Sequence, residues 1–360
     1  MAAKKISIEE FIELSGKYPI LDVRSPGEYT HAHMPTALSF PLFSDEERKV
    51  VGTLYKQESR EKAIKKGLEY FGVKMVKMVE DADSIVKNET KTVIVHCWRG
   101  GMRSAGVAWL LDLYGFKVYT LSGGYKAFRQ WVFAQFKNVY PFILIGGYTG
   151  SGKTEVLAAM HKKSISIIDL EALANHKGSA FGAINMPEQP SQEMFENKLA
   201  IELFSLQKKF LSIGSQDIQT IYLEDESQRI GLVNIPTDIW QQMRKKPLLF
   251  LQIPFEERLK FISEHYGKGE KEILINAIMR IKKRLGGLET KTSINFLLED
   301  NIIEAFRILL HYYDKMYKKG LQNRESWEAL CTDINYHTVD PTAVAKKIIQ
   351  HQTTSNVRIN

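Results

Sequence analysis

Two short stretches of the chain carry side chains whose type and spacing can do chemistry. The first is His96-Cys97-Trp98-Arg99-Gly100-Gly101-Met102-Arg103-Ser104. A cysteine between a strand and a helix faces converging backbone N–H groups and the positive end of that helix. Arg99 and Arg103 add fixed cationic charge, so the spacing predicts a reactive thiol at Cys97 with both arginines beside it. A buried structural cysteine is the plainer alternative; two arginines and two glycines close to the thiol count against it. The second stretch is Gly147-Tyr148-Thr149-Gly150-Ser151-Gly152-Lys153-Thr154, which fits the phosphate-binding pattern G-x-x-x-x-G-K-T. The backbone of Gly147, Gly150, Ser151 and Gly152 is expected to wrap a phosphate chain, with Lys153 on its terminal oxygens and Thr154 on Mg²⁺.

Further acids belong to the second constellation. Asp169, closing the stretch ISIID, is the expected second metal partner, and a helix N-cap ahead of Glu171 to Ala174 is its alternative. Glu224, Asp225, Glu226 and Arg229 follow another apolar run and are expected to face the same cleft, unless they form a solvated turn. A cradle of this type suits any diphosphate, so nucleotide hydrolysis does not follow from it.

Both constellations need a parallel sheet to position them. Ser7 with Glu10 reads as a capping box opening a helix over Ile8 to Leu14. Strands are expected at Tyr18–Val23, Ala37–Phe40, Thr92–His96 and Lys117–Thr120, and helices over Ser59–Lys87, Arg103–Leu113 and Gly123–Phe136. A new unit starts near Pro141, with strands at Phe142–Ile145, Ile165–Ile168, Thr220–Leu223 and Leu248–Ile253. From Phe255 to Lys319 the pattern is helical. Alternating strands and helices imply α/β architecture. The expected domains are residues 1–138 and 139–360, the second a P-loop NTPase-like α/β unit with a helical C-terminal region.

Composition sets limits on the setting. The chain has 360 residues, 44% hydrophobic and 25% charged, ordinary values for globular domains. No long apolar run reads as a membrane span or a signal peptide, and the two cysteines, Cys97 and Cys331, lie far apart. A reducing, cytoplasmic setting is therefore expected, with Cys331 structural. The formal charge of +7 mildly favours an anionic partner.

The cysteine loop alone admits two readings, since His96-Cys97-x-x-Gly100-x-x-Arg103-Ser104 also fits the cysteine phosphatases. Upstream, LDVRSPGEYTHAHMPTALSFPL resembles the N-terminal signature of rhodanese-like domains, with Asp22, Arg24, Glu28 and His33 at its matching places. That makes residues 1–138 a rhodanese-like α/β domain. The loop is one residue longer between cysteine and arginine than in many sulfurtransferases, so a tetrahedral phosphate-bearing donor suits it better than thiosulfate.

The whole chain resembles the bacterial tRNA 2-selenouridine synthases. The resemblance is carried by GTLYKQESR, HCWRGGMRSAGVAWLL, LSGGYKAFRQWV, GGYTGSGKT, LEALANHKGSAFG, QPSQEMFENKLA, EDESQRIG and RIKKRLGGL. It implies a transferase acting on the wobble 2-thiouridine of tRNAs for Lys, Glu and Gln. In that family sulfur is first alkylated with geranyl diphosphate, and selenium from selenophosphate then replaces the S-geranyl group. Cys97 would carry selenium as a perselenide, and the P-loop would hold the geranyl donor's diphosphate with Mg²⁺. No tightly bound cofactor is expected, and an enzyme supplying selenophosphate is a conceivable partner. Lys282, Lys283 and Arg284, with Lys315, Lys318 and Lys319, are candidates for tRNA phosphates, a solvated helix face being the alternative. Trp98 is a candidate to stack on the base, or else packs internally. Two other readings stay open: a cysteine phosphatase fused to a nucleotide-binding module, and a non-enzymatic P-loop module beside an inert rhodanese unit.

Overall fold

The computed structural model describes residues 3–87, 89–213, 220–267 and 269–356. Internal contacts divide the chain into residues 1–135 with 196–201, and residues 136–195 with 202–360. The sequence reading makes one cut, at 138/139. The contacts cut at 135/136 and also return Glu196–Ile201 to the first unit. There Asn197 donates to His33 O (2.9 Å) and to the Tyr125 hydroxyl (2.8 Å).

The first unit is built on five parallel strands: β1 (Lys4–Ile6), β2 (Ile20–Asp22), β3 (Ala37–Ser39), β4 (Thr92–His96) and β5 (Lys117–Leu121). Their order is β1-β5-β4-β2-β3. All five residues of β4 are buried, as a β-branched run between two neighbours should be. The strand leads at its C-terminal end into Cys97, and the helix Met102–Leu113 follows, burying Val107, Ala108, Leu110 and Leu111. At the start of the short helix Pro26–His31, Glu28 reaches back to accept from Ser25 N–H (3.1 Å). The helical stretch expected over Ser59–Lys87 is two helices, Arg60–Gly72 and Met75–Ile85. A further helix precedes them, Asp45–Gln57, opened by a capping box of Ser44 and Glu47.

The second unit holds β6 (Phe142–Gly147), β7 (Ile167–Ile168), β8 (Ile221–Glu224), a ribbon of β9 (Arg229–Ile230) and β10 (Val233–Asn234), β11 (Leu248–Gln252) and β12 (Cys331–Asn335). The ribbon is antiparallel; the other five strands are parallel in the order β12-β11-β6-β8-β7. β6 is central and fully paired, so the loop after it opens at the C-terminal edge, where such sheets bind ligands. Four helices, Phe255–Tyr266, Lys271–Leu285, Gly287–Leu298 and Ile302–Gln322, share an apolar core with Phe181. Among the described residues no helix is long and apolar enough to cross a membrane.

Candidate active site

Cys97 is buried, and its sulfur accepts from Gly101 N–H (3.3 Å) and lies 3.2 Å from the Ser104 hydroxyl. The loop is pinned from below by the turn after β5, where Tyr125 N–H donates to Cys97 O (2.9 Å) and Lys126 N–H to Trp98 O (3.0 Å). Gly124 has φ +57°, and a Cβ there would stand 2.2 Å from Cys97 O. Only glycine tolerates that approach, which explains the paired glycines of LSGGYKAF. Arg24 and Asp22 form a buried ion pair (2.5 Å), and the Arg24 guanidinium covers the Tyr125 ring at 3.8 Å. His96 is wholly enclosed. Burial outweighs the nearby Asp22 charge and pulls its pKa to about 4, so it is neutral at pH 7 and packs behind the thiol.

The two loop arginines do different things. Arg99 is exposed, whereas Arg103 donates to Glu28 (2.8 Å), which also pairs with Arg48 (2.9 Å). The charge expected to face the sulfur from Arg103 is thus spent on a carboxylate brought across from the second strand's loop. Trp98 is partly exposed and leans on Tyr125 with centroids 5.6 Å apart.

In the second unit the phosphate-binding loop follows β6. Gly152 takes φ +74° as the N-cap of the helix Lys153–His161, so the loop's N–H groups join the helix's positive end. Lys153 Nζ rests on Gly147 O (3.1 Å), and Ser151 is buried with its hydroxyl unpaired. Arg258, buried and held by Asp314 (2.7 Å), donates to Thr149 O (3.0 Å) and fixes the loop's crown. Tyr317 accepts from Gly147 N–H (3.3 Å) and donates to Asp225 (2.8 Å), which is also paired to buried Arg324.

The metal-binding expectation needs a correction. Asp169 caps the helix Leu170–Ala174 through Ala172 N–H (2.8 Å), so its carboxylate is engaged by backbone. The acids at Thr154 are Glu171 (3.1 Å) and Glu224 (2.7 Å), and Glu226 joins them, with ligand atoms of all three within 4.8 Å. Burial, then the charge of Glu226, pushes Glu171 up to about 8. Burial and Glu224 do the same to Glu226, also to about 8. Glu224 is raised well above the carboxylate range by burial first, then by Glu171 and Asp169, and its Oε2 has no hydrogen-bond partner. An orphaned buried oxygen among crowded carboxylates fits a divalent cation held by Thr154, Glu171, Glu224 and Glu226. Arg229 is a second correction: it is exposed and bonds Gly231 O (2.8 Å) in its own ribbon.

A cleft of about 870 Å³ opens over Lys153, Thr154, Glu171 and Glu226. One wall is apolar, with Phe181, Tyr266, Phe306, Leu310 and Tyr313 lining it. Arg284 reaches its rim; Lys282 and Lys283 are exposed in the same last helical turn, and Lys315, Lys318 and Lys319 are exposed on the helix Ile302–Gln322.

A rhodanese-like profile matches residues 7–130, and the tRNA 2-selenouridine synthase AAA domain matches residues 140–346. The chain belongs to the tRNA 2-selenouridine synthase family. It is 32% identical to the tRNA 2-selenouridine synthase of Nitrosomonas europaea, over 85% of this chain and 90% of that one. It is 34% identical to that of Sulfurovum sp., over 86% and 90% respectively. Within this family frame, sequence reasoning missed Glu171, Arg258 and Tyr317. Glu171 could have been found as the next acid after the candidate at Asp169; Arg258 and Tyr317 carry no local signal.

Proposed function

We propose that the protein is a tRNA-modifying transferase that alkylates the sulfur of wobble 2-thiouridine with geranyl diphosphate and then exchanges S-geranyl for selenium carried on Cys97. One observation carries this reading: the phosphate cradle and an apolar wall line a single cleft. A nucleotide would not need the wall, whereas a prenyl diphosphate needs both. Lys153 and the loop N–H groups would hold the diphosphate and gain strength on it as the C–O bond breaks. Thiouridine sulfur attacks the freed carbon, and the base sheds its N3 proton to restore neutrality. Thr154, Glu171, Glu224 and Glu226 would hold Mg²⁺, which when bound supplies positive charge to the leaving diphosphate.

In the first unit, Gly101 N–H and the Ser104 hydroxyl hold an anionic sulfur or its selenium adduct in place. Selenophosphate is the proposed selenium source: water takes its phosphoryl group as phosphate, and a small-molecule disulfide oxidises the released selenide with the Cys97 thiol to Cys97–S–Se⁻ and two thiols. The selenium then displaces geranylthiol at C2, and one of those thiols cleaves the S–Se bond, leaving the selenocarbonyl and a mixed disulfide on Cys97 that the second thiol reduces. The experiment is mass spectrometry of nucleosides from thiolated tRNA incubated with protein, geranyl diphosphate and selenophosphate. S-geranyl-2-thiouridine should form with the first donor alone, and 2-selenouridine only when both are present. Release of phosphate from an aryl phosphate without either product would favour the phosphatase reading instead.

A further inference from the structure

The cleft has a second wall that a geranyl donor does not use. On the helix Thr237–Arg244, Ile239 and Met243 are buried four residues apart. That spacing leaves Trp240, Gln241 and Arg244 to line the cleft, joined by Gln228 from the loop after β8 and by Lys245. Their polar groups are largely uncommitted. The buried Trp240 indole N–H has no acceptor among the described residues, and Gln241 is exposed with its amide open to the cleft. Gln228 has one long bond, to the Thr237 hydroxyl (3.3 Å). Arg244 spends one N–H on Gly320 O (3.2 Å), and its guanidinium sits 5.6 Å over the Trp240 ring.

An aromatic ring, two amides and a cation on a helix face are what an unstacked nucleotide requires: a stacking surface, edge partners, and a phosphate contact. The apolar wall offers rings and the Lys177 cation but no amide to meet a base edge. Its aromatic rings pack on each other, Phe181 with Tyr266 at 6.2 Å and with Phe306 at 5.8 Å. Lys153, Glu171 and Glu226 line the same cleft. The cleft therefore has separate places for an apolar diphosphate and for its acceptor.

We infer that Trp240, Gln241 and Gln228 seat the wobble base and that Arg244 binds the adjoining phosphodiester. This rests on the reading of the cleft as the site of S-alkylation.

The test uses the full chain and anticodon stem-loop RNA carrying 2-thiouridine, beside an otherwise identical RNA abasic at the wobble position. Arg244→Ala should weaken both RNAs roughly tenfold and lower the slope of log K against log salt by about 0.7. Gln241→Ala and Trp240→Ala should weaken the thiolated RNA roughly tenfold and the abasic RNA little, erasing the preference between them. Affinity for an unreactive geranyl thiolodiphosphate should stay unchanged in all three. RNA affinity unaltered in Arg244→Ala and Gln241→Ala would overturn the inference, as would equal loss of both ligands. Failure of the alkylation reading looks different: wild-type protein would bind the thiolated RNA yet leave its sulfur unmodified when geranyl diphosphate is added.

Discussion

Glu28 is the carboxylate that ties the cysteine loop to the loop after β2. It accepts from Arg103 (2.8 Å) and Ser25 N–H (3.1 Å), pairs with Arg48 (2.9 Å), and its side chain is 13% exposed. Burial pushes its pKa up, but the hydrogen bond and charge of Arg103, then Ser25 N–H and Arg48, overcome that and hold it at about 2. The fall from 4.5 to about 2 corresponds to about 3 kcal/mol at most, and salt screening of the half-open Arg48 side brings it to about 2 kcal/mol. Because the folded value is depressed, this stability is complete above the unfolded value of 4.5 and is lost as pH falls through about 2.

Glu28→Gln keeps the shape and the N-cap bond while removing the charge. Urea denaturation should show a loss of about 2 kcal/mol at pH 7 and less than half that loss at pH 3, where the wild-type carboxylate no longer discriminates fully between folded and unfolded chains. An equal penalty at both pH values would mean that shape rather than charge is being lost. No penalty at pH 7 would mean that Arg103 does not depend on Glu28.

Three further outcomes are expected. Cys97→Ser should abolish selenium incorporation and leave S-geranylation largely intact, read by nucleoside mass spectrometry; selenouridine formed from S-geranyl-tRNA by the variant would refute the carrier role. Lys153→Ala should slow geranylation by about 10²–10³ at saturating tRNA, the effect of one contact that strengthens as charge develops; normal geranylation with collapse of a nucleotide-dependent step would refute it. A triple change of Lys282, Lys283 and Arg284 to alanine should flatten the salt dependence of tRNA binding by about 0.7–0.9 per lost contact, equally for thiolated and unmodified tRNA. An unchanged slope would place the tRNA backbone elsewhere.

Both loops were legible in the sequence because each packs its chemistry into consecutive residues between a strand and a helix. β4 matches its expected bounds, Thr92–His96, since a β-branched run buried on both faces has no competing reading. Side chains that meet through the sheet were not legible. Arg103 reads as a cation beside the thiol until β2 pairs with β4 and carries the Glu28 helix alongside, 75 residues away in sequence. Asp169 satisfies two rules at once, an acid ending a strand and an acid opening a helix, and the backbone of Ala172 decides for the cap. Glu171 then turns to Thr154 because that helix is only Leu170–Ala174 long and starts at the cap. The second unit's apolar wall reads in sequence as the inner faces of amphipathic helices, and a cleft lining has the same periodicity as a core.

That wall also bears on which diphosphate the cleft prefers. Two of the cleft's tyrosines have their hydroxyls engaged. Tyr313 takes the N–H of Ala180 (3.3 Å), and Tyr317 is engaged by Gly147 and Asp225, so both present rings to the cleft. Lys177 lies 5.6 Å over the Tyr266 ring at the same wall. A ligand there gains by leaving water, at about 0.8 kcal/mol per buried CH₂, rather than by matching donors to acceptors. A ten-carbon tail can therefore contribute about 5 kcal/mol after ordering costs. A purine seated against Phe181 and Phe306 would meet no donor or acceptor on those rings for its ring nitrogens, at about 1–3 kcal/mol for each. That balance supports the proposed prenyl donor; the phosphate cradle alone suits either ligand.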